Sequence, residues 1–178
     1  MSHLKVDRAA GVPTGTASFN YRTRAALLQA AAVRLTELDL EDLAAVAEEA
    51  AAGSTGTASP LARAVFAASV EPRLTRTRAR YELLLHAARD AELAKGMQKS
   101  AAMFMRLSRA AILAMQPGSV RPSAEVLDDQ TVAAMAFIEG VMMGFARGDR
   151  TIRGPEHIDR LLSDIVAGVA ASRQASPR

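Results

Sequence analysis

Between Thr14 and Arg24 the stretch TGTASFNYRTR gathers hydroxyls at Thr14, Thr16 and Ser18, an amide at Asn20 and cations at Arg22 and Arg24. Such side chains exchange hydrogen bonds with base edges and phosphate oxygens, Gly15 lets a backbone approach closely, and Lys5 or Arg24 can neutralise a phosphate. Charge follows the same placement. Up to Arg24 the cations Lys5, Arg8, Arg22 and Arg24 oppose Asp7 alone, while acids and bases balance over the remainder, so the net +3 sits at this end. Phe19 and Tyr21 are expected to divide, one closing a small core and the other facing the phosphates.

Other reactive side chains form no recognisable set. His86 follows Glu82 by one helical turn, but two ligands do not make a metal site, and neither metal nor cofactor is expected. There is no nucleophile elbow, no HExxH and no dinucleotide fingerprint, which points to a binding protein rather than an enzyme. The acidic stretches ELDLED and AEE lack basic neighbours and read as a solvated helix face. Met97, Met103, Met105, Met115, Met135, Met142 and Met143 supply deformable apolar surface suited to a core or an adaptable pocket.

The elements that must position these residues are helical. Hydrophobic residues make up 49%, aromatics 4%, and tryptophan and cysteine are absent, so Ala, Leu, Val and Met fill an all-α interior. No apolar run reaches the roughly 18 residues of a membrane span, and no export segment is recognisable, so a cytoplasmic protein is expected.

Along the chain, a short helix over 6–10 stops at Gly11. Pro13 opens a second over 14–21, and Thr23 caps a third whose apolar phase shifts near Leu40. Residues 53–60 read as a linker, and a helix over 60–70 ends at Glu71 and Pro72. Helical territory over 75–115 bends near Asp90 or Gly96. After a break at 116–123, the helix over 124–146 is apolar nearly all round and must be covered on more than one side. Ile158, Leu161, Leu162, Ile165, Val166 and Val169 then form the most regular stripe, with 171–178 frayed. Gly140 and Gly144, flanking Val141, permit close helix approach. With Ile158, Leu161, Leu162, Ile165 and Val169 they suggest a subunit interface, a four-helix bundle across a two-fold axis.

The run Ala10-Gly11-Val12, followed by Gly15-Thr16, Tyr21, Arg24 and Leu27-Leu28 without gaps, resembles the helix-turn-helix of the TetR family of bacterial repressors. The resemblance implies a partial DNA-binding head over 1–38 and a helical effector-binding and dimerisation domain over 39–178. It implies DNA contacts from Thr14, Gly15, Thr16, Ser18 and Arg24, with Lys5, Phe19, Asn20 and Tyr21 beside them. It further implies an apolar or amphipathic effector held among the middle helices by Tyr81, His86, Met103, Phe104 and Phe137. The expected protein is a homodimeric repressor on a double-stranded operator; the alternative is a helical ligand- or protein-binding dimer that has lost DNA recognition. The family's first helix, about three to four turns long, has only Met1 to Lys5 in its place here. A trimmed start is therefore expected, or a head whose Val6, Val12 and Leu28 stay wet at about 1.5–3 kcal/mol each.

Overall fold

A computed structural model of the chain describes residues 2–53, 56–98, 101–116 and 121–175, and every regular element among them is an α-helix. Two short helices, α1 (His3–Ala10) and α2 (Thr16–Asn20), precede the longest, α3 (Arg24–Ala51). Then come α4 (Pro60–Ala67), α5 (Arg73–Ala87), α6 (Ala91–Gln98), α7 (Ala101–Ala114), α8 (Ala124–Ala146) and α9 (Pro155–Ala175).

Local chemistry sets most boundaries. Thr23, Ser59 and Ser123 each accept a hydrogen bond from the backbone N–H three residues on, at Ala26, Ala62 and Val126, which satisfies one of the orphan donors of a first turn. Pro60 occupies the first turn of α4, where its missing N–H costs nothing. Substituting Thr23 by alanine is expected to lower stability by about 1 kcal/mol, read as a small fall in the thermal unfolding midpoint.

Four differences from the sequence reading have physical causes. Helix α2 starts at Thr16 rather than at residue 14 because Gly15 sits at φ 100°, outside any right-handed helix. Helix α1 begins at His3, earlier than its apolar residues announce. Helix α3 runs unbroken past Leu40, and the expected domain boundary at 38/39 lies inside it. Helix α9 continues through Ala175, its last turns tied to α8 by Arg173, which pairs with Glu125 at 3.4 Å and with Asp129. The bend expected near Asp90 is present, whereas Gly96 lies within α6. Parts of the two expected linkers, 54–55 and 117–120, lie outside the described residues, as do the last three positions.

The main core joins Leu43 and Val46 of α3, Leu61 and Val65 of α4, Ile112 of α7, Ile138 and Phe145 of α8, and Ile158, Leu162 and Val166 of α9. Phe145 meets Phe66 edge to face, ring centres 6.2 Å apart, an arrangement favoured by the ring quadrupoles. Helices α8 and α9 are joined inside this core by Gln130. Its Nε2 donates to the Val166 carbonyl at 2.8 Å, and its Oε1 accepts from Gln116 at 3.0 Å. A smaller cluster of Ala32, Leu83 and Leu93 packs the N-terminal half of α3 on α5 and α6.

Candidate functional site

The head is organised around one acid. Asp7 on α1 is 2% exposed, and its carboxylate accepts from the backbone of Gly15 at 2.8 Å and of Ala17 at 2.7 Å. Gly15, the residue that leads into α2, has no side chain with which to cap the helix, so Asp7 does so from the neighbouring helix. Gly11, at φ 66°, supplies the left-handed turn that brings the chain back. The Thr16 hydroxyl donates to the Pro13 carbonyl at 2.7 Å, Ser18 to Gly15 at 2.9 Å, and Asn20 Nδ2 to Thr16 at 2.9 Å.

Lys5, Thr14, Ser18, Asn20 and Arg24 are exposed, and Gly15 and Thr16 half-buried. The expected division of the two aromatics does not occur as foreseen: Phe19 is 85% exposed, and Tyr21, at 38%, closes no core. His3 Nε2 instead hydrogen-bonds the Tyr21 carbonyl at 2.6 Å. Val6 and Leu28 are half-buried, and Val12 and Leu4 are exposed.

A second site lies in the body. Helices α3, α4, α5, α7 and α8 line a partly open cavity of about 150 Å³. Leu43, Val46, Leu61, Val65, Phe104, Met135, Ile138 and Met142 form its apolar part, and Asp39, Asp42, Arg73, Arg76 and Arg80 its polar wall. Arg80 grips Asp39 with two nitrogens, Nε at 2.6 Å and Nη2 closer still. Arg73 Nη2 donates to Asp42 at 3.0 Å, and Arg76 Nη2 takes the other Asp42 oxygen. The Tyr81 hydroxyl donates to the Glu139 carbonyl at 2.8 Å. Burial pushes this phenol above its ordinary range, so it stays a neutral donor.

This wall corrects the reading of ELDLED as a solvated face without basic partners. Asp39 and Asp42 are held by α5, and Glu37 and Glu41 by Arg34 at 3.1 and 3.2 Å. The signal was present as two matched patterns, Asp39 and Asp42 three apart, and Arg73, Arg76 and Arg80 on one face of a later helix.

Of the residues expected in the pocket, Tyr81 and Phe104 line it. The other three do not. His86 stands 3.9 Å from Asp90 on another face of α5, about one-third of a turn round from Arg80. Met103 is exposed beside Arg106, and Phe137 lines a shallow groove with Gly140, Val141 and Gly144 on the adjoining face of α8.

The interface list also changes. Ile158 and Leu162 are fully enclosed in the chain's own core and cannot meet a second copy. Leu161, Ile165, Val169 and Val141 are half-buried and retain accessible surface, and Gly140 faces open space. Gly144 is buried against Asp149. Exposed Val132, at 62%, is apolar surface on α8 that the stripe reading did not assign to an interface.

Among the described residues, no three His, Asp or Glu side chains gather closely enough to hold a metal ion, and no helix is long and apolar enough to cross a membrane. Comparison with protein-family models, with curated proteins and with solved structures finds no match for the chain.

Proposed function

We propose that the protein is a TetR-like transcriptional regulator, a cytoplasmic homodimer that binds a pseudo-palindromic operator through α2 of each subunit and is released by a small effector in the α3–α8 cavity. One observation carries the reading. A phenylalanine exposed as fully as Phe19 gains nothing from folding, and it stands between Ser18 and Asn20 on a helix flanked by Arg22 and Arg24. An apolar ring among hydrogen-bonding side chains suits a major groove, where thymine methyls alternate with donors and acceptors. The cavity wall on α3 lies about 22 Å along that helix from Arg24. A rearrangement of Asp39 or Asp42 can therefore move the end of α3 that carries the head.

Selection from a random duplex library followed by fluorescence anisotropy tests the reading. A selected duplex should bind with an affinity that falls steeply with salt, by a log–log slope of about −0.9 per phosphate contacted. Phe19→Ala should weaken that binding about tenfold with the unfolding midpoint unchanged. Failure to enrich any duplex overturns the proposal. The exposure of Leu4 and Val12 in the head favours the second reading, a helical ligand- or partner-binding module without DNA recognition.

A further inference from the structure

We propose that the cavity takes a small organic anion, a carboxylate on a compact apolar body, with its charged group on Arg76 and its carbon skeleton against Val65, Phe104 and Ile138. This rests on the reading of the cavity as the effector site and names the chemistry of its ligand.

Hydrogen-bond supply on the wall is uneven. Asp39 spends both oxygens on Arg80, and Asp42 divides its pair between Arg73 and Arg76. Three guanidiniums thus share two carboxylates. Arg76 Nε is left buried with no hydrogen-bond partner among the described residues, an oxygen of Asp39 standing 3.9 Å away. A guanidinium has five donors in a planar fork, and a buried donor left unmade is costly. A ligand carboxylate brings acceptors without protons of its own and can take a donor of Arg76 that Asp42 does not hold. Three guanidiniums against two carboxylates leave the wall one positive charge in excess, which favours an anion over a cation. Glu139, the remaining acid on the lining, is on the exposed edge of α8, where water and salt screen it.

The apolar part sets the size. A cavity of about 150 Å³ accommodates one benzene ring, so phenylacetate, phenylethanol and phenylethylamine make a matched set differing in headgroup charge. Calorimetric titration of the full chain should find phenylacetate bound at least about tenfold more tightly than the alcohol, and the amine not bound. Arg76→Ala should reduce phenylacetate affinity to that of phenylethanol while leaving the alcohol unchanged, a split that a merely structural arginine would not produce. Should Arg76→Ala fail to fold, Arg76→Gln keeps the stem and an N–H donor but not the charge, and should show the same split. Ala64→Phe, which fills the apolar part, should abolish binding of both with the helical circular dichroism retained.

Equal affinity for acid and alcohol, preference for the amine, or no binding of any probe at millimolar concentration overturns the assignment. The DNA measurement separates the two readings. A chain that binds phenylacetate through Arg76 yet enriches no duplex keeps this inference and loses the regulator. A chain that binds DNA and ignores phenylacetate loses this inference alone.

Discussion

Asp7→Ala is expected to abolish tight, sequence-specific DNA binding while leaving the unfolding of the helical body where it is. The reason is local. Helix α2 has only five residues, too few to persist on backbone hydrogen bonds alone. Its entry at Gly15 has no capping side chain, and the Asp7 carboxylate takes both the Gly15 and the Ala17 N–H. A hydrogen bond to a charged group contributes about 1.5–3 kcal/mol, so losing two removes about 3 kcal/mol or more from the head. Apparent affinity falls with the populated fraction of the competent state, here by about two orders of magnitude. Asp7→Asn keeps one acceptor oxygen and should fall between, at about tenfold. Amide hydrogen exchange at Gly15 and Ala17 reads the same event without DNA: protection should vanish in Asp7→Ala. Unchanged protection and unchanged affinity together would falsify the role given to Asp7. The main core, from Leu43 to Val166, does not include this residue, so the body's melting transition should not move.

What the sequence disclosed and what it concealed follow from how far each interaction reaches along the chain. Helix α8 was legible at both ends because Ser123 caps it and Gly148, at φ 90°, follows its close, both local events. Thr23 and Pro60 were legible for the same reason. Helix α3 shows the shift of apolar phase near Leu40 because its two halves pack on different neighbours. Ala32 faces α5 and α6, while Leu43 and Val46 face the main core, so the apolar stripe changes face without any break in the backbone. The polar wall of the cavity was hidden because Asp42 and Asp39 meet arginines 31 to 41 residues later, and a one-helix window sees only uncompensated acid. Phe104 and Tyr81 were found because an aromatic residue on a middle helix is conspicuous. Ile158 and Leu162 were assigned to the wrong surface because a regular stripe reports that a face is covered, not whether the cover is the same chain or another.

The Asp39–Arg80 pair separates stability from function most sharply. Asp39→Ala should destabilise the protein by about 3 kcal/mol, measured by chemical unfolding. The two side chains are 16% and 20% exposed, and without Asp39 the Arg80 guanidinium keeps, among the described residues, the Met142 sulfur 3.8 Å away. Arg76 would lose its second carboxylate neighbour as well. The cost belongs to the unpaired charge rather than to the pair. Taking both ions away, as Asp39→Leu with Arg80→Met, should restore stability to within about 1 kcal/mol of the parent, because well-packed apolar side chains often replace buried ion pairs without loss. Leu84, Ile138 and Met142 already line the adjoining surface and would extend over the new side chains. On that outcome the pair is not what holds α3 to α5. Its consequence lies in the ligand. With Asp39 gone, Arg76 has one fewer competing carboxylate, so the stable double variant should bind phenylacetate at least as tightly as the parent and lose any ligand-dependent release of DNA that runs through Asp39 and α3. If the double variant is as unstable as Asp39→Ala, the ion pair is a structural fastening, and the cavity's polar wall has no need of a ligand to explain it.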